Sequence, residues 1–211
     1  MKLKHDLVLF DFDGTLADSL TWLSGAMAKL AEQFRFRLPG PVEIERLRDG
    51  PPAGILSGMG IPMWKLPRIA MAMRRMMADD ITSIRPFEGT QAALRRLHQH
   101  GVHLGIVSSN SESNVRTVLG AATANLFGHY ECGVSLMGKA SRLRRATKAA
   151  RIPIDNALYV GDEIRDLEAA GKIGMAFGAV GWGVSTVAAF EKRRPCAIFR
   201  TLSEMEKYLT S

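Results

Sequence analysis

The sequence predicts an α/β fold, in which a Rossmann-like parallel sheet carries helices on both faces and a small all-α segment is inserted after the first strand. Short, fully apolar runs alternate with segments of helical periodicity along most of the chain. This alternation is typical of parallel sheets covered on both faces, because such strands lack the polar positions of a solvent-facing strand. Between residues 20 and 82 the strand-like runs stop, which indicates the helical insertion.

Four apolar runs are predicted as buried strands. Each run is bounded by polar or turn-forming residues and is too short for a helix of ordinary length. The predicted strands span residues 7–10, 103–107, 157–160 and 175–180.

Helices are predicted where apolar residues recur at α-helical spacing. The segment that begins at Thr90 offers a helix-capping side chain and ends on Gly101. Thr201 is expected to begin a final helix, with Ser203 as a weaker alternative cap. The predicted helices span residues 90–101, 139–152, 164–174 and 201–209.

The helical insertion has its own organisation. Turns rich in Pro and Gly separate short helical segments within it. Because the insertion follows the first strand directly, we expect it to cover the strand ends as a cap. The predicted domains are an α/β core of residues 1–17 and 83–211 and a helical cap of residues 18–82.

Composition narrows the setting of the protein. The chain has 211 residues and a formal net charge of +7. Its two cysteines, Cys132 and Cys196, are far apart and outside any CxxC pattern, which disfavours a disulfide framework and a zinc site. No apolar segment is long enough to span a bilayer, and the first residues do not have the apolar run of a secretory leader, so the sequence predicts a cytoplasmic protein without a membrane partner.

The excess of positive charge does not by itself select a partner. The densest basic stretches, residues 141–151 and 191–195, lack interleaved aromatic side chains that would stack on bases. Solvated helix faces account for them, so no nucleic-acid partner is expected. A small anionic substrate is compatible with this charge.

Three of the predicted strands end on polar residues. The carboxyl ends of parallel strands face one crevice, so these residues are expected to converge on a single site. Residues two apart in an extended chain point the same way, so Asp11 and Asp13 face the crevice while Phe12 enters the core. The polar residues at the three strand ends are Asp11, Asp13, Ser108, Ser109, Asp162 and Asp166.

The chemistry of these residues suits phosphoryl transfer. Neighbouring carboxylates repel each other unless a cation offsets them, and all-oxygen ligation favours Mg²⁺. An ionised Asp11 would serve as the nucleophile while Asp13 carries and returns a proton. The reaction also needs a hydroxyl donor and a fixed cation, which Ser108 and Lys139 offer.

Four motifs in this order resemble a known family. The sequences DFDGT, GIVSSN, GKAS and GDEIRD resemble the motifs of the haloacid dehalogenase superfamily, and the helical insertion is similar to that family's first cap position. The longer string LYVGDEIRDLEAAGKIGM, followed by GWG, is similar to the phosphoglycolate-phosphatase-like hydrolases. The resemblance covers nearly all of the predicted core, whereas in the cap it is only architectural.

The resemblance implies a Mg²⁺-dependent phosphatase that acts on a small phosphorylated metabolite through an aspartyl-phosphate. Asp11 is implied as nucleophile and metal ligand, and Asp13 as general acid/base and ligand through its backbone carbonyl. Asp162 is implied to complete the metal site. Asp166 is assigned to the same site, as a ligand or as a group that orients ligand waters or Lys139, and Glu163 is an alternative in either role.

The phosphoryl group and the substrate involve further residues. The resemblance implies that Ser108 hydrogen-bonds the phosphoryl group and that Lys139 neutralises its charge. Asn110 is expected to contact phosphate or to cap its helix, and Gly14 and Thr15 are expected to shape the loop toward the cap. The predicted substrate-binding residues are Gly14, Thr15, Ser109 and Asn110.

Substrate choice and some alternatives stay open at this point. A sugar-phosphate mutase shares every core motif, whereas Asp13 argues against a dehalogenase, and a non-catalytic binding or regulatory protein would not need the intact motifs. The oligomer is expected to be a monomer or a homodimer. Basic cap residues can contact a carboxylate or a second phosphate, or lie on an exposed helix surface. These residues are Arg46, Arg48, Lys65, Arg68, Arg74 and Arg75.

Overall fold

A six-stranded, wholly parallel sheet forms the centre of the molecule. The computed structural model describes residues 3–49, 56, 58–133 and 138–211. The strand order is β3-β2-β1-β4-β5-β6, so the first strand lies at the centre between β2 and β4. The strands are β1 (Leu7–Phe10), β2 (His103–Val107), β3 (Phe127–Glu131), β4 (Ala157–Gly161), β5 (Ala176–Val180) and β6 (Ala197–Phe199).

Helices cover both faces of this sheet. Alternate residues of β1 enter different clusters: Val8 and Phe10 pack on one face, and Leu7 and Leu9 on the other. Helices α4, α5 and α10 contribute to the first cluster, and α7, α8 and α9 to the second. Their bounds are α4 (Thr90–Gln99), α5 (Glu112–Leu119), α7 (Lys139–Ala150), α8 (Ile164–Gly171), α9 (Val187–Arg193) and α10 (Leu202–Leu209), with the short α6 (Ala121–Ala124) between α5 and β3.

The segment of residues 18–82, which we call the cap segment, is helical wherever it is described outside its turns. Leu30, Met59, Ile61 and Ile69 form a third apolar cluster that is separate from the two clusters on the sheet. Its helices are α1 (Leu20–Phe34), α2 (Pro41–Leu47) and α3 (Leu66–Asp79), with short 3₁₀ turns at Met63–Lys65 and Ile81–Ser83.

The four methionines of α3 have different surroundings. Met73 and Met76 contact the apolar cluster of the cap segment. Met77 packs instead against the sheet cluster, and Met71 is exposed. Two of the four methionines therefore pack inside the cap segment, and Met77 joins the cap segment to the core.

The predicted fold class is confirmed, and the four predicted strands agree with β1, β2, β4 and β5 to within one residue. One local expectation is wrong. Thr90 is the first residue of α4 rather than its cap, and its hydroxyl donates to the carbonyl of Leu16 at 3.4 Å. Thr201 caps α10 as expected, since its hydroxyl accepts from the N–H of Glu204 at 3.1 Å.

The described helices are too short or too polar to cross a lipid bilayer.

Candidate active site

Asp11 occupies the carboxyl end of the central strand. Its side chain is almost fully buried, because β1 is covered on both faces up to this point. Oδ1 accepts a 2.8 Å hydrogen bond from the N–H of Phe12, and Oδ2 accepts a 2.7 Å bond from Nζ of Lys139. Phe12 is fully buried, as the two-residue periodicity predicted. The carboxylate is therefore held in one orientation.

Lys139 is the first residue of α7, and its ammonium lies between two carboxylates. Nζ donates to Oδ2 of Asp11 and to Oδ1 of Asp166, and it lies 5.6 Å from the ring centre of Tyr159. Burial lowers the pKa of Lys139, but the surrounding negative charge, chiefly that of Asp11, outweighs burial and keeps the pKa well above its usual value. Lys139 therefore stays a fixed cation.

Asp13 differs from Asp11 in its surroundings. The amide nitrogen Nδ2 of Asn110 donates to Oδ1 and Oδ2 of Asp13 at 3.3 and 3.2 Å. Burial, followed by the neighbouring charge of Asp11, raises the pKa of Asp13 to about 6. A carboxyl group with such a pKa can both carry and release a proton near neutral pH.

Asn110 is itself fixed by two further donors. Its Oδ1 accepts from the N–H of Ser111 and from Nδ2 of Asn114, both at 2.9 Å. These bonds determine that the amide nitrogen, rather than the oxygen, faces Asp13. The same nitrogen lies 3.2 Å from Sδ of Met77, so a side chain of the cap segment reaches the edge of the site.

Ser108 follows β2 and is almost completely buried. Its Oγ accepts from the N–H of Asn110 at 3.1 Å. Among the residues that the structure describes, no acceptor takes the hydroxyl proton of Ser108, so this proton can be donated to a ligand. Ser109, in contrast, is exposed.

Asp162 follows β4 and is fully buried. Both of its carboxylate oxygens are hydrogen-bonded: Oδ1 accepts from Oγ1 of Thr15 at 3.0 Å, and Oδ2 accepts from the N–H of Val184 at 2.9 Å. The backbone carbonyl of Asp162 accepts from the N–H of Ser185 at 3.0 Å. Burial, with the added charge of Asp11, raises the pKa of Asp162 well above its usual value.

Two glycines make room for this carboxylate. A Cβ at Gly14 would lie 2.3 Å from Oδ2 of Asp162, and a Cβ at Gly183 would lie 2.1 Å from Cβ of Asp162. Gly14 also has a φ of +72°, in the left-handed region that favours glycine. Gly14 and Thr15 therefore both lie against Asp162.

Asp166 lies one helical turn further on and is fully buried in α8. One oxygen accepts from Lys139, and the other accepts from the N–H of Glu163 at 3.3 Å, which completes a capping box at the start of the helix. Burial raises the pKa of Asp166, and the ammonium of Lys139 counteracts this effect. Glu163, the alternative to Asp166, pairs with Arg165.

The three buried carboxylates form a group that fits a cation. Asp11, Asp162 and Asp166 each offer an oxygen, and these oxygens lie within 4.8 Å of one another. Lys139 supplies one positive charge against these three carboxylates, which leaves an excess of buried negative charge. A divalent cation would balance that excess, and oxygen donors are the ligands that Mg²⁺ and similar hard cations prefer.

The basic side chains of the cap segment have varied surroundings. Lys65 donates to the carbonyl of Phe34, inside the segment. Arg48 donates to the carbonyls of Gly183 and Val184 in the core. Exposed helix positions hold Arg68, Arg74 and Arg75. The side chain of Arg46 lies outside the described residues.

Sequence reasoning missed several groups that shape the site. Asn114 orients Asn110, and the hydroxyl of Tyr159 donates to the carbonyl of Val107 at 3.2 Å, next to Ser108. The backbone N–H of Val184 binds Asp162, although the GWG string before it carries no ionisable side chain. Every residue except proline has a backbone N–H, so no pattern of residue types indicates which N–H will bind a carboxylate.

Comparison with known proteins identifies the family. The family model of haloacid dehalogenase-like hydrolases matches residues 8–180. A phosphoglycolate phosphatase of Synechococcus elongatus is 28% identical over 204 residues, which cover 96% of this chain and 96% of that protein. A phosphoglycolate phosphatase of Xylella fastidiosa is 31% identical over 192 residues, which cover 83% of this chain and 80% of that protein.

Solved structures share the same fold. A haloacid dehalogenase-like family hydrolase from Streptococcus pneumoniae superposes with a TM-score of 0.83 at 19% identity, over 97% of this chain and 98% of that chain. A hydrolase from Pseudomonas syringae gives a TM-score of 0.75 at 18% identity, over 97% of each chain. The chain belongs to the haloacid dehalogenase-like hydrolase family, in its phosphoglycolate-phosphatase-like branch, and it is a phosphatase.

Proposed function

We propose that the protein is a Mg²⁺-dependent phosphomonoesterase of a small organic phosphate, and that phosphoglycolate is the first substrate to test. One observation carries the proposal: the Asp11 carboxylate is held between the ammonium of Lys139 and the N–H of Phe12, at the strand end where Asp13 also lies. The substrate is suggested by the relatives named phosphoglycolate phosphatase.

The proposed reaction has two displacement steps at phosphorus. A carboxylate oxygen of Asp11 attacks phosphorus, the bond to the leaving oxygen breaks, and Asp13 gives its proton to that oxygen. The products of this step are the free alcohol and an aspartyl-phosphate. Asp13, now ionised, takes a proton from a water whose oxygen attacks the same phosphorus. The bond between phosphorus and the Asp11 oxygen breaks, phosphate leaves, and both aspartates return to their starting state.

The remaining polar groups support the transferred phosphoryl group. Ser108 would donate its hydroxyl proton to a phosphoryl oxygen, and Lys139 would balance the negative charge of that group together with the charge of Asp11. Asn110 already donates to Asp13, so its proposed role is to orient the acid/base as well as to lie beside the phosphate. Fixed donors of this kind need no rearrangement during the reaction. Ser109, exposed, is proposed at the outer edge of the substrate.

The proposed Mg²⁺ ligands are the carboxylates of Asp11 and Asp162 and the backbone carbonyl of Asp13. Asp166 is proposed as a further ligand or as a group that orients Lys139. The bound cation would neutralise charge on the phosphoryl oxygens. The donor set supports this assignment, because it consists of oxygen atoms and holds an excess of negative charge.

The cap segment is proposed to be a separate domain of residues 18–82 that closes over a core of residues 1–17 and 83–211. Its own apolar cluster supports this division. Met77 touches Asn110 and so lies beside the site, which suits a small substrate enclosed under a lid. The proposed setting is the cytoplasm, as a monomer or homodimer, and the two free cysteines are compatible with a reducing compartment.

The first experiment measures phosphate release from a panel of phosphomonoesters that includes phosphoglycolate, sugar phosphates and nucleotides. Each is assayed with Mg²⁺ and with EDTA, for wild type and Asp11→Asn. Asp155→Asn is the matched control, because Asp155 is an exposed aspartate that precedes β4 and so lies at the opposite end of the sheet. Metal-dependent turnover that is lost in Asp11→Asn and kept in Asp155→Asn is the expected result.

Three outcomes would contradict the proposed chemistry. Full turnover in EDTA would show that the reaction needs no divalent metal. Full turnover of Asp11→Asn would show that Asp11 is not the nucleophile. A preference for a sugar phosphate, with the phosphate moved to another hydroxyl instead of released, would identify a mutase. Activity on the panel with phosphoglycolate among the poorest substrates would keep the chemistry and reject the proposed substrate.

A further inference from the structure

Two adjacent residues of the cap segment form hydrogen bonds to one loop of the core. Nε of Arg48 donates to the carbonyl of Val184 at 2.6 Å, and Nη2 donates to the carbonyl of Gly183 at 3.1 Å. Asp49 accepts from both donors of Thr186: Oδ1 from the N–H at 2.7 Å and Oδ2 from Oγ1 at 2.6 Å. Four hydrogen bonds therefore join residues 48–49 to residues 183–186, and we call this arrangement the clasp.

The same loop holds Asp162 from its other side. The N–H of Val184 donates to Oδ2 of Asp162, and the N–H of Ser185 donates to its backbone carbonyl. Gly183 packs so closely on Asp162 that a Cβ at position 183 would overlap it. The loop therefore joins the cap segment to Asp162. The carbonyls of Gly183 and Val184 accept from Arg48, and the N–H of Val184 donates to Asp162.

The loop has a second anchor at its far end. Thr186 caps α9, because its Oγ1 accepts from the N–H of Ala189 at 3.1 Å while donating to Asp49. On the near side, the indole Nε1 of Trp182 donates to the carbonyl of Thr15 at 3.1 Å. Thr15 in turn binds Asp162. The clasp thus acts on a short loop that is fixed at both ends and in contact with Asp162 in the middle.

We propose that Arg48 and Asp49 are positioning residues that hold the Asp162 carboxylate in place through the loop of residues 183–186 when the cap segment is docked. This inference rests on the proposed metal site. It assigns to the cap segment a role beyond enclosing the substrate, because docking of the cap and binding of the cation then favour each other. Such coupling is reciprocal: whatever docking adds to cation affinity, the cation adds to docking.

The first test is calorimetric titration of Mn²⁺ into wild type, Arg48→Ala and Asp49→Ala. Both variants are expected to bind Mn²⁺ about tenfold more weakly, the lower end of the range for groups that orient metal ligands indirectly. The sign of the Arg48→Ala effect is decisive. Through charge alone, loss of a cation at Arg48 would strengthen Mn²⁺ binding and loss of an anion at Asp49 would weaken it. The clasp predicts weaker binding for both.

Arg37→Ala is the matched control. Arg37 also donates to a backbone carbonyl, that of Gly58, and to a glutamate, Glu43, but all of these contacts stay inside the cap segment. Its Mn²⁺ affinity is expected to match that of wild type. Equal weakening in Arg37→Ala would show that general loosening of the cap is responsible and would overturn the assignment to the clasp.

The second test uses wild type alone, so it does not depend on a variant that folds. Amide hydrogen exchange is followed in peptides that contain residues 44–49 and 183–186, with and without Mn²⁺. Slower exchange of both peptides with Mn²⁺ is expected. Protection of residues 183–186 without residues 44–49 would overturn the coupling. If wild type binds no Mn²⁺, the proposed metal site fails; if it binds Mn²⁺ and both clasp variants bind it equally, only the clasp fails.

Discussion

The hydroxyl of Thr15 donates a 3.0 Å hydrogen bond to Oδ1 of Asp162, and this bond joins two buried residues that are 147 positions apart in the chain. Thr15 belongs to the loop after β1 and Asp162 to the loop after β4, which are neighbouring strands of the sheet. The bond thus ties together the two motifs that supply the central carboxylates. It indicates that the hydroxyl of Thr15 helps to hold the Asp162 carboxylate in place.

Thr15→Val tests this bond, because valine keeps the branched shape and removes the donor. Leaving a buried carboxylate oxygen without its hydrogen-bond donor lowers the free energy of unfolding by about 1–3 kcal/mol. Because Asp162 then loses the group that orients it, we also expect Mn²⁺ affinity to fall about tenfold in calorimetric titration, the lower end of the range for groups that orient metal ligands indirectly. Thr15→Ser keeps the hydroxyl and should bind nearly as tightly as wild type. Wild-type affinity in Thr15→Val would show that the bond does not orient Asp162.

Gly14→Ala should disturb the same carboxylate by contact. The new Cβ would lie 2.3 Å from Oδ2 of Asp162, at a position with φ +72°. Gly101→Ala separates the two causes, since Gly101 has φ +85° and no atom within 4 Å of its added Cβ. In urea unfolding, Gly101→Ala should cost about 1 kcal/mol, the penalty of the left-handed region alone. Gly14→Ala should cost more and abolish phosphatase activity; equal costs would contradict the contact.

The predicted and missed strands differ in where they lie in the sheet. β1, β2, β4 and β5 lie inside the sheet, are covered on both faces, and read as continuous apolar runs, so they are predictable. The missed strands, β3 and β6, form the two edges. β3 carries Gly128, His129 and Tyr130, and β6 is three residues long, because an edge strand needs less apolar burial.

The candidate site divides along a similar line. Charged residues that follow buried strands, such as Asp11, Asp13 and Asp162, are predictable because parallel topology brings strand ends together. The clasp is not predictable from spacing. Arg48 and Asp49 find their partners in backbone groups and a helix cap more than a hundred residues away. Such contacts depend on how the cap segment docks, which no local pattern encodes.

The two cysteines should differ in reactivity. Burial, followed by the negative charge of Glu112, raises the pKa of the Cys132 thiol to about 12. Because only the thiolate attacks alkylating reagents, Cys132 should react slowly at pH 8, whereas the exposed Cys196 should react readily. Labelling with iodoacetamide, followed by peptide mass spectrometry, measures both rates. Labelling in urea is the control, where the rates should converge. Faster labelling of Cys132 in the folded protein would contradict this environment.

The buried charges around Lys139 allow stability to be separated from catalysis. Lys139→Met removes the ammonium that lies between Asp11 and Asp166 and leaves these carboxylates buried without a positively charged partner. Breaking a buried pair in this way costs about 3–5 kcal/mol. We therefore expect a large loss of stability in urea unfolding, measured in EDTA so that no bound cation offsets the charge. Phosphatase activity, measured with Mg²⁺, should also be lost.

The double variant Lys139→Met with Asp166→Asn distinguishes the two roles of the lysine. Removing one carboxylate relieves part of the repulsion, so the double variant should recover stability relative to Lys139→Met. Activity should stay lost, because no ammonium then balances the combined charge of Asp11 and the phosphoryl group. Recovery of activity along with stability would show that Lys139 serves the fold alone. The double variant has a smaller excess of buried negative charge than Lys139→Met. If it recovers no stability, the loss in Lys139→Met comes from the packing of the Lys139 side chain rather than from its charge.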